Sequence, residues 1–563
     1  MLKVTERFII LNLCNCKKLG TCFLRKHFLR NRPTEPFPNQ LDDLSCEIVE
    51  RCEGLPLAIV LVCSLLRSKS PNLIEWKKVH SNLASESSKD SYKYAMKTLS
   101  FSYSCLPHNL KSCLLYLGIF PEGQFIKCMR LIRLWMAEGF IEGNDFKTME
   151  EVADDYLKEL LNHSVIQVAE RSHYGRVISY KVHPLMREFI LWKSKEVNFC
   201  VLSANKIVSN TEKCRRLSID EGMKKDDLRA STLSHVRSFF AFGAAKSSIS
   251  EVFLKFKFLK VLDLENAPLE NFPELLTELF FLRYLSLENT KIKWLPKSLG
   301  KLVNLETLNL KGTFVCDLPR TIVKLQNMHN LLVCHYDMKA PPFYSMKAVK
   351  LPAGIDCLKS LQKLSYIKAN SKRGTISELG KLTQLRRLGV VGVKKKYGRN
   401  LCASIANMKN LLSFSVRSAV ADELLDLEHL ETPPPGLRGL FLGGCLKKLP
   451  QWIFELQNLA RLTLGWSKFE EDPFPLLSSL PALVELKIIE AYSGGVLSCG
   501  EYSKGRRGFP NLKSLCLRGL PQLESIDVTG GALASLVKLE IGCCGALKML
   551  PPGRLETMDW HFH

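Results

Sequence analysis

Three observations predict an α/β chain: a leucine-rich-repeat solenoid preceded by a small helical domain and a winged-helix domain. Leucines recur as L-x-x-L-x-L at a fixed step of 23 residues. A second marker, an apolar residue followed by proline, keeps the same step. Residues 1–203 lack the step and read mostly helical.

The repeat is clearest at Leu259, Leu262, Leu264, then Leu282, Leu285, Leu287, then Leu305, Leu308, Leu310. One step forward from Leu308 lands on Leu331, and one step back from Leu262 lands on Phe239. Phe272-Pro273, Leu295-Pro296 and Leu318-Pro319 share the period. The central positions continue less regularly at Leu364, Leu388, Phe414, Leu440, Leu462, Leu486, Leu515 and Leu539, with Leu217 upstream. That makes about 14 repeats averaging about 25 residues, within the 20–29 of leucine-rich repeats. The widest gap, 331 to 364, holds Ala340-Pro-Pro-Phe343 and reads as a loop insertion.

In L-x-L both leucines point inward from a short strand, and stacked strands bury that face as a continuous core behind a concave parallel sheet. Asp263, Ser286 and Asn309 are expected to point out. Arg283, Tyr284, Arg386, Arg387, Arg438, Arg461, Thr463, Trp466, Lys487 and Arg518 flank such positions. Arginine and aromatic side chains on a rigid concave sheet suit protein recognition. They are the candidate partner-binding residues.

Of the 563 residues, 46% are hydrophobic and 24% charged, enough to bury a core, which excludes wholesale disorder. The net charge of +23 predicts attraction to polyanions, whether nucleic acid, acidic lipid or an acidic protein face, or else a solvated basic surface. The 20 cysteines include no C-x-x-C and sit in runs such as Leu61-Val-Cys63, as small buried hydrophobes; free thiols point to a reducing, cytoplasmic setting. The longest apolar stretch, Leu55 to Leu66, falls short of the about twenty residues of a membrane span. There is no H-E-x-x-H, no G-x-S-x-G and no metal spacing among the histidines. The chain reads as a non-enzyme without a metal.

In the N-terminal third, apolar residues 41, 44, 48 and 49 have helical spacing, and Gly54-Leu55-Pro56 stops that helix before another begins at Leu57. Thr148-Met-Glu-Glu151 has capping-box spacing ahead of Val152, Tyr156 and Leu160. Val177–Val182 alternates as a strand after a turn at 173–175. Helices followed by a hairpin suggest a winged helix at about 105–195.

These residues resemble known motifs. Gly54-Leu-Pro-Leu-Ala58, Glu75-Trp76-Lys77-Lys78-Val79, Ile119-Phe120-Pro121-Glu122, Leu131-Ile-Arg-Leu-Trp135 and Val182-His183-Pro184-Leu185 follow one another in the order seen in one family. It is the plant intracellular nucleotide-binding leucine-rich-repeat disease-resistance proteins, coiled-coil class. The resemblance covers roughly residues 20–560. It implies an uncertain segment at 1–22, a helical remnant at 23–100, a winged helix at 101–203 and repeats at 204–563.

The resemblance also implies a nucleotide switch of ADP and ATP in the full-length family, with Pro56 near the adenine and His183 near the phosphate. The P-loop that such a switch needs, G-x-x-x-x-G-K-[ST], is absent from this sequence, so no cofactor is expected in this chain itself. The chain is therefore expected to start after the nucleotide-binding core, as an N-terminally truncated member. Pro184 replaces the family's aspartate after His183. The implied function is plant defence, by recognition of a pathogen effector or a guarded host protein, with a full-length relative as a second partner. The alternative is a non-immune repeat adaptor. Nucleic acid is disfavoured because no basic helix interleaved with aromatics stands out.

Overall fold

The computed structural model describes residues 41–51, 56–67, 73–84, 91–172, 175–202, 215–219, 233–242, 253–337, 339–369, 374–502, 506–529, 531–548 and 559–562. The segment 1–22, Gly54 and Leu55 lie outside the described residues. The chain divides into two compact units, one of residues 1–171 and 177–218, the other of 172–176 and 219–563.

Among the described residues the smaller unit first has four helices: α1 (Asp42–Arg51), α2 (Pro56–Arg67), α3 (Leu73–Ala84) and α4 (Ser91–Ser104). Leu44 and Ile48 of α1, Val62 and Leu66 of α2, and Trp76 and Val79 of α3 form one buried cluster, with Phe101 of α4 packed against it. A buried aliphatic side chain contributes about 1.5–3 kcal/mol of transfer free energy, so such a stripe outweighs the helices' modest propensities.

Next come α5 (His108–Tyr116), β1 (Ile126–Lys127), α6 (Cys128–Glu138), α7 (Met149–Asn162), β2 (Gln167–Arg171), β3 (Val177–Lys181) and α8 (Pro184–Glu196). The sheet order β1-β3-β2 is antiparallel throughout, as a winged helix requires. The capping box forms: the Glu151 amide donates to Thr148 Oγ1 and the Thr148 amide to Glu151 Oε2. Gly139 ends α6 in the left-handed region at φ 81°, which costs glycine little.

The larger unit is a parallel sheet wound from repeats. Phe239, Leu262, Leu285, Leu308, Leu331, Leu364, Leu388, Phe414, Leu440, Leu462, Leu486, Leu515 and Leu539 stand side by side in register. Each is buried. The register adds one strand the repeat pattern did not reach, Asp559–Phe562, where Trp560 falls beside Leu539.

On the outer side, Pro273, Pro296 and Pro319 immediately precede the 3-10 turns Glu274–Glu278, Lys297–Lys301 and Arg320–Lys324. Proline's fixed φ suits that position, and its missing N–H leaves nothing unpaired. A side-chain ladder ties successive turns. Asn304 Nδ2 donates to the Phe280 carbonyl at 2.8 Å and Asn327 Nδ2 to Val303 at 3.1 Å; Asn410, Asn458 and Asn511 repeat the bond further along. Among the described residues no helix is long and apolar enough to cross a membrane.

Candidate interaction face of the repeats

The residues before and after each central leucine face away from the core. One file of the sheet carries Tyr284, Lys363, Arg387, Arg461 and Glu485; a second carries Thr463, Lys487, Cys516 and Glu540. Arg518 stands two residues further along its strand, and Trp466 lies just past the end of its own. Arg283, Arg386 and Arg438 share another position, in the turn before the strand, where each carbonyl accepts two amides of the next repeat. The expected residues therefore do not form one file.

Their exposure differs too. Arg387, Arg438 and Arg518 are exposed, while Arg386, Arg461 and Lys487 are half-buried. Arg283 Nε is held by Glu306 at 2.7 Å and Lys487 by Glu485 at 3.0 Å. Gly439 lets the Arg461 guanidinium lie against the sheet, since a β-carbon there would meet Nη2 at 3.0 Å.

Three expectations are corrected. Tyr284 is fully buried, and Asp263, Ser286 and Asn309 are buried rather than presented to solvent. Neighbouring strands put their side chains close enough to bond to one another. The Tyr284 hydroxyl donates to Asp263 at 3.5 Å, and Asn309 Nδ2 donates to Ser286 at 3.2 Å and to Glu288 at 2.7 Å. Trp466 is also buried, at 8% exposure. Its cover is the insertion between Leu331 and Leu364.

That insertion is a short antiparallel hairpin, His335–Tyr336 against Met346–Lys347, closed by the Asp337 amide donating to the Ser345 carbonyl at 2.7 Å. Its tip lies on the concave face. Phe343 meets Trp466 edge-on, centroids 4.9 Å apart. Beside them lies Arg417, which reasoning from the sequence missed although it follows Val416 as Arg518 follows Leu517. Arg417 is 7% exposed, 4.9 Å from the Phe441 ring and 5.2 Å from the Trp466 ring. Its Nη1 donates to the carbonyls of Phe343 at 3.0 Å and Pro342 at 3.5 Å. Burial pulls its pKa below the ordinary guanidinium value, against the opposing pull of Tyr336 and Tyr366. Burial, then Tyr366, pushes the Tyr336 hydroxyl up to about 12.

In the smaller unit, Pro56 is the first residue of α2. His183 caps α8: its Nδ1 accepts the Leu185 amide at 3.2 Å, which leaves the ring proton on Nε2. Burial, and then Lys181, lower its pKa. Pro184 occupies the first helical turn, where a missing N–H costs nothing. Near the end of the same unit, Arg216 Nη2 is held by Glu138 at 2.7 Å, with side chains 9% and 2% exposed. Phe199 lies 4.2 Å and Phe140 5.0 Å from that guanidinium. Among the described residues no group of three His, Cys, Asp or Glu side chains is placed to hold a metal.

A parallel sheet built on L-x-x-L-x-L and a three-stranded winged module together define a winged-helix leucine-rich-repeat protein. The family described as "Leucine-rich repeat region" matches residues 235–551, and "Disease resistance protein Winged helix domain" matches 119–190. The chain is 38% identical over 523 residues to the disease resistance protein RPM1 of Arabidopsis thaliana, covering 91% of this chain and 55% of the relative. It is 29% identical over 479 residues to the rice disease resistance protein RGA5, covering 80% and 41%. The chain belongs to the plant disease-resistance protein family and spans about half the length of these relatives. A Leptospira interrogans leucine-rich-repeat protein of known structure is 19% identical at a TM-score of 0.41, covering 64% of this chain and 99% of that one.

Proposed function

We propose that the chain serves plant defence by holding a protein ligand, a pathogen effector or a guarded host protein, on the concave face of its repeats. The observation that carries this is the placement of exposed Arg387 and Arg518 and half-buried Arg461 and Lys487 on a rigid parallel sheet of a disease-resistance family member. Arginine on a preorganised face gives bidentate contacts at low entropic cost, which suits recognition rather than chemistry. On this reading the chain is not an enzyme and acts in the cytoplasm. A full-length relative is its second partner.

The test is genetic. Plants expressing the chain and plants silenced for it are challenged with a panel of pathogen isolates. Resistance to at least one isolate should follow the chain's presence. Identical growth of every isolate in both lines would overturn the defence reading.

A further inference from the structure

Arg417 is out of keeping with its surroundings. A buried charge is ordinarily paired, because desolvating an ion without a counter-charge is costly. Arg417 is 7% exposed, yet among the described residues its hydrogen bonds go only to two neutral carbonyls, and Nε has no acceptor there. Both bonds leave from Nη1. The edge formed by Nε and Nη2, the one that grips a carboxylate bidentately, is unused among the described residues.

The surroundings keep that edge in place. A β-carbon at Gly443 would come 3.0 Å from Arg417 Cγ and 2.8 Å from the Phe441 ring, so the glycine makes room for the arginine to lie across the sheet. Gly389 does the same for Tyr366, with its ring 2.8 Å from the would-be β-carbon. The rings of Phe441 and Trp466 orient the guanidinium through their faces. Among the described residues, the carbonyls over Arg417 come from the hairpin tip, Pro342 and Phe343, in an insertion outside the repeat frame.

We propose that Arg417 is a carboxylate anchor on the concave face, strapped over by the 335–347 hairpin, and that it takes an aspartate or glutamate side chain of the protein ligand. The proposal rests on the reading of the concave face as the ligand-binding surface. The ligand's carboxylate supplies the counter-charge that the strap's carbonyls replace only partly, and the strap is displaced or repacked as it enters. A net charge of +23 on the chain favours the approach of such an acidic partner.

The test uses the full chain and an N-acetylated, C-terminally amidated tetraglutamate peptide, with tetraglutamine as the neutral control. Hydrogen exchange is followed at the amide of Asp337, which bonds across the hairpin to Ser345, and at that of Tyr344, which bonds to Pro341 within its tip. Tetraglutamate should speed both at least threefold, and tetraglutamine should leave them unchanged. A second chain, with residues 339–344 replaced by a short Gly-Ser turn, should bind tetraglutamate at least fivefold more tightly than the parent. Adding Arg417→Gln to it should abolish that binding, and Arg417→Lys, which keeps the charge without the fork, should weaken it. Each variant is checked for an unchanged thermal transition of the repeats.

Equal binding of the two peptides by the strapless chain, or binding that survives Arg417→Gln, would overturn the proposal. The two readings fail separately. A chain that confers resistance but ignores tetraglutamate loses only the anchor. One that binds tetraglutamate through Arg417 but confers no resistance loses only the defence role.

Discussion

Removing the carboxylate of Glu138 should destabilise the smaller unit by about 3 kcal/mol. Glu138 and Arg216 are 2% and 9% exposed and 2.7 Å apart, so neither is screened by solvent. Breaking such a pair from one side costs about 3–5 kcal/mol, because the other charge stays buried without its partner. Phe199 at 4.2 Å and Phe140 at 5.0 Å still offer ring faces to the stranded guanidinium, which argues for the lower end. For a unit of this size, about 3 kcal/mol lowers the melting temperature by roughly 6–12 °C. Calorimetry of the full chain with Glu138→Ala should show one transition falling by that amount while the transition of the repeats stays put. The double variant Glu138→Leu, Arg216→Met should recover most of the loss, since an apolar pair leaves no uncompensated charge. A single-variant shift below about 1 kcal/mol, or a double variant no better than the single, would refute the reasoning.

Leu308 is fully buried in the middle of the leucine file, so Leu308→Ala should cost about 3–5 kcal/mol in urea unfolding followed by circular dichroism. Gly312 sits at φ 70° with Asn289 where its β-carbon would go; Gly312→Ala should cost about 1–3 kcal/mol, and a neutral result would argue against that packing. Asn327→Ala removes one rung of the turn ladder and should cost about 1 kcal/mol by the same measurement. His183 has a lowered folded pKa, so the folded state binds its proton less readily than the unfolded one. Its contribution is complete above the ordinary value of 6.5 and is lost as pH falls through the folded pKa. The urea midpoint of the smaller unit should therefore drop between pH 7.5 and 5, less so in His183→Asn.

The repeat frame was legible because its signal is redundant: one leucine per strand, the same spacing, and a proline marker in step with it. Every central position from Phe239 to Leu539 falls into register, even where the spacing drifts. The capping box at Thr148 was equally readable, being a local bond between residues three apart. The interaction face was less so. Alternation says which side of a strand Tyr284 takes, but not that Asp263 and its neighbours close around it. The gap after Leu331 announced an insertion, but its destination depends on contacts between residues 74 and 123 apart in sequence, Phe343 with Arg417 and with Trp466. No local pattern encodes those contacts, so the burial of Arg417 could not be read locally even though it follows Val416 as Arg518 follows Leu517. The resemblance gives His183 a place near a phosphate; the structure adds that its Nδ1 caps a helix through the bond to Leu185, two residues on.

Ligand recognition by the concave face is best tested by comparing two charge-reversal pairs in the resistance assay. One is Arg387→Glu with Arg461→Glu, on the concave sheet; the other is Lys297→Glu with Lys324→Glu, on exposed outer 3-10 turns. Both proteins should accumulate and melt like the parent. The concave pair should lose resistance and the outer pair should keep it. Resistance retained by the concave pair, or lost equally by both, would contradict recognition through this face.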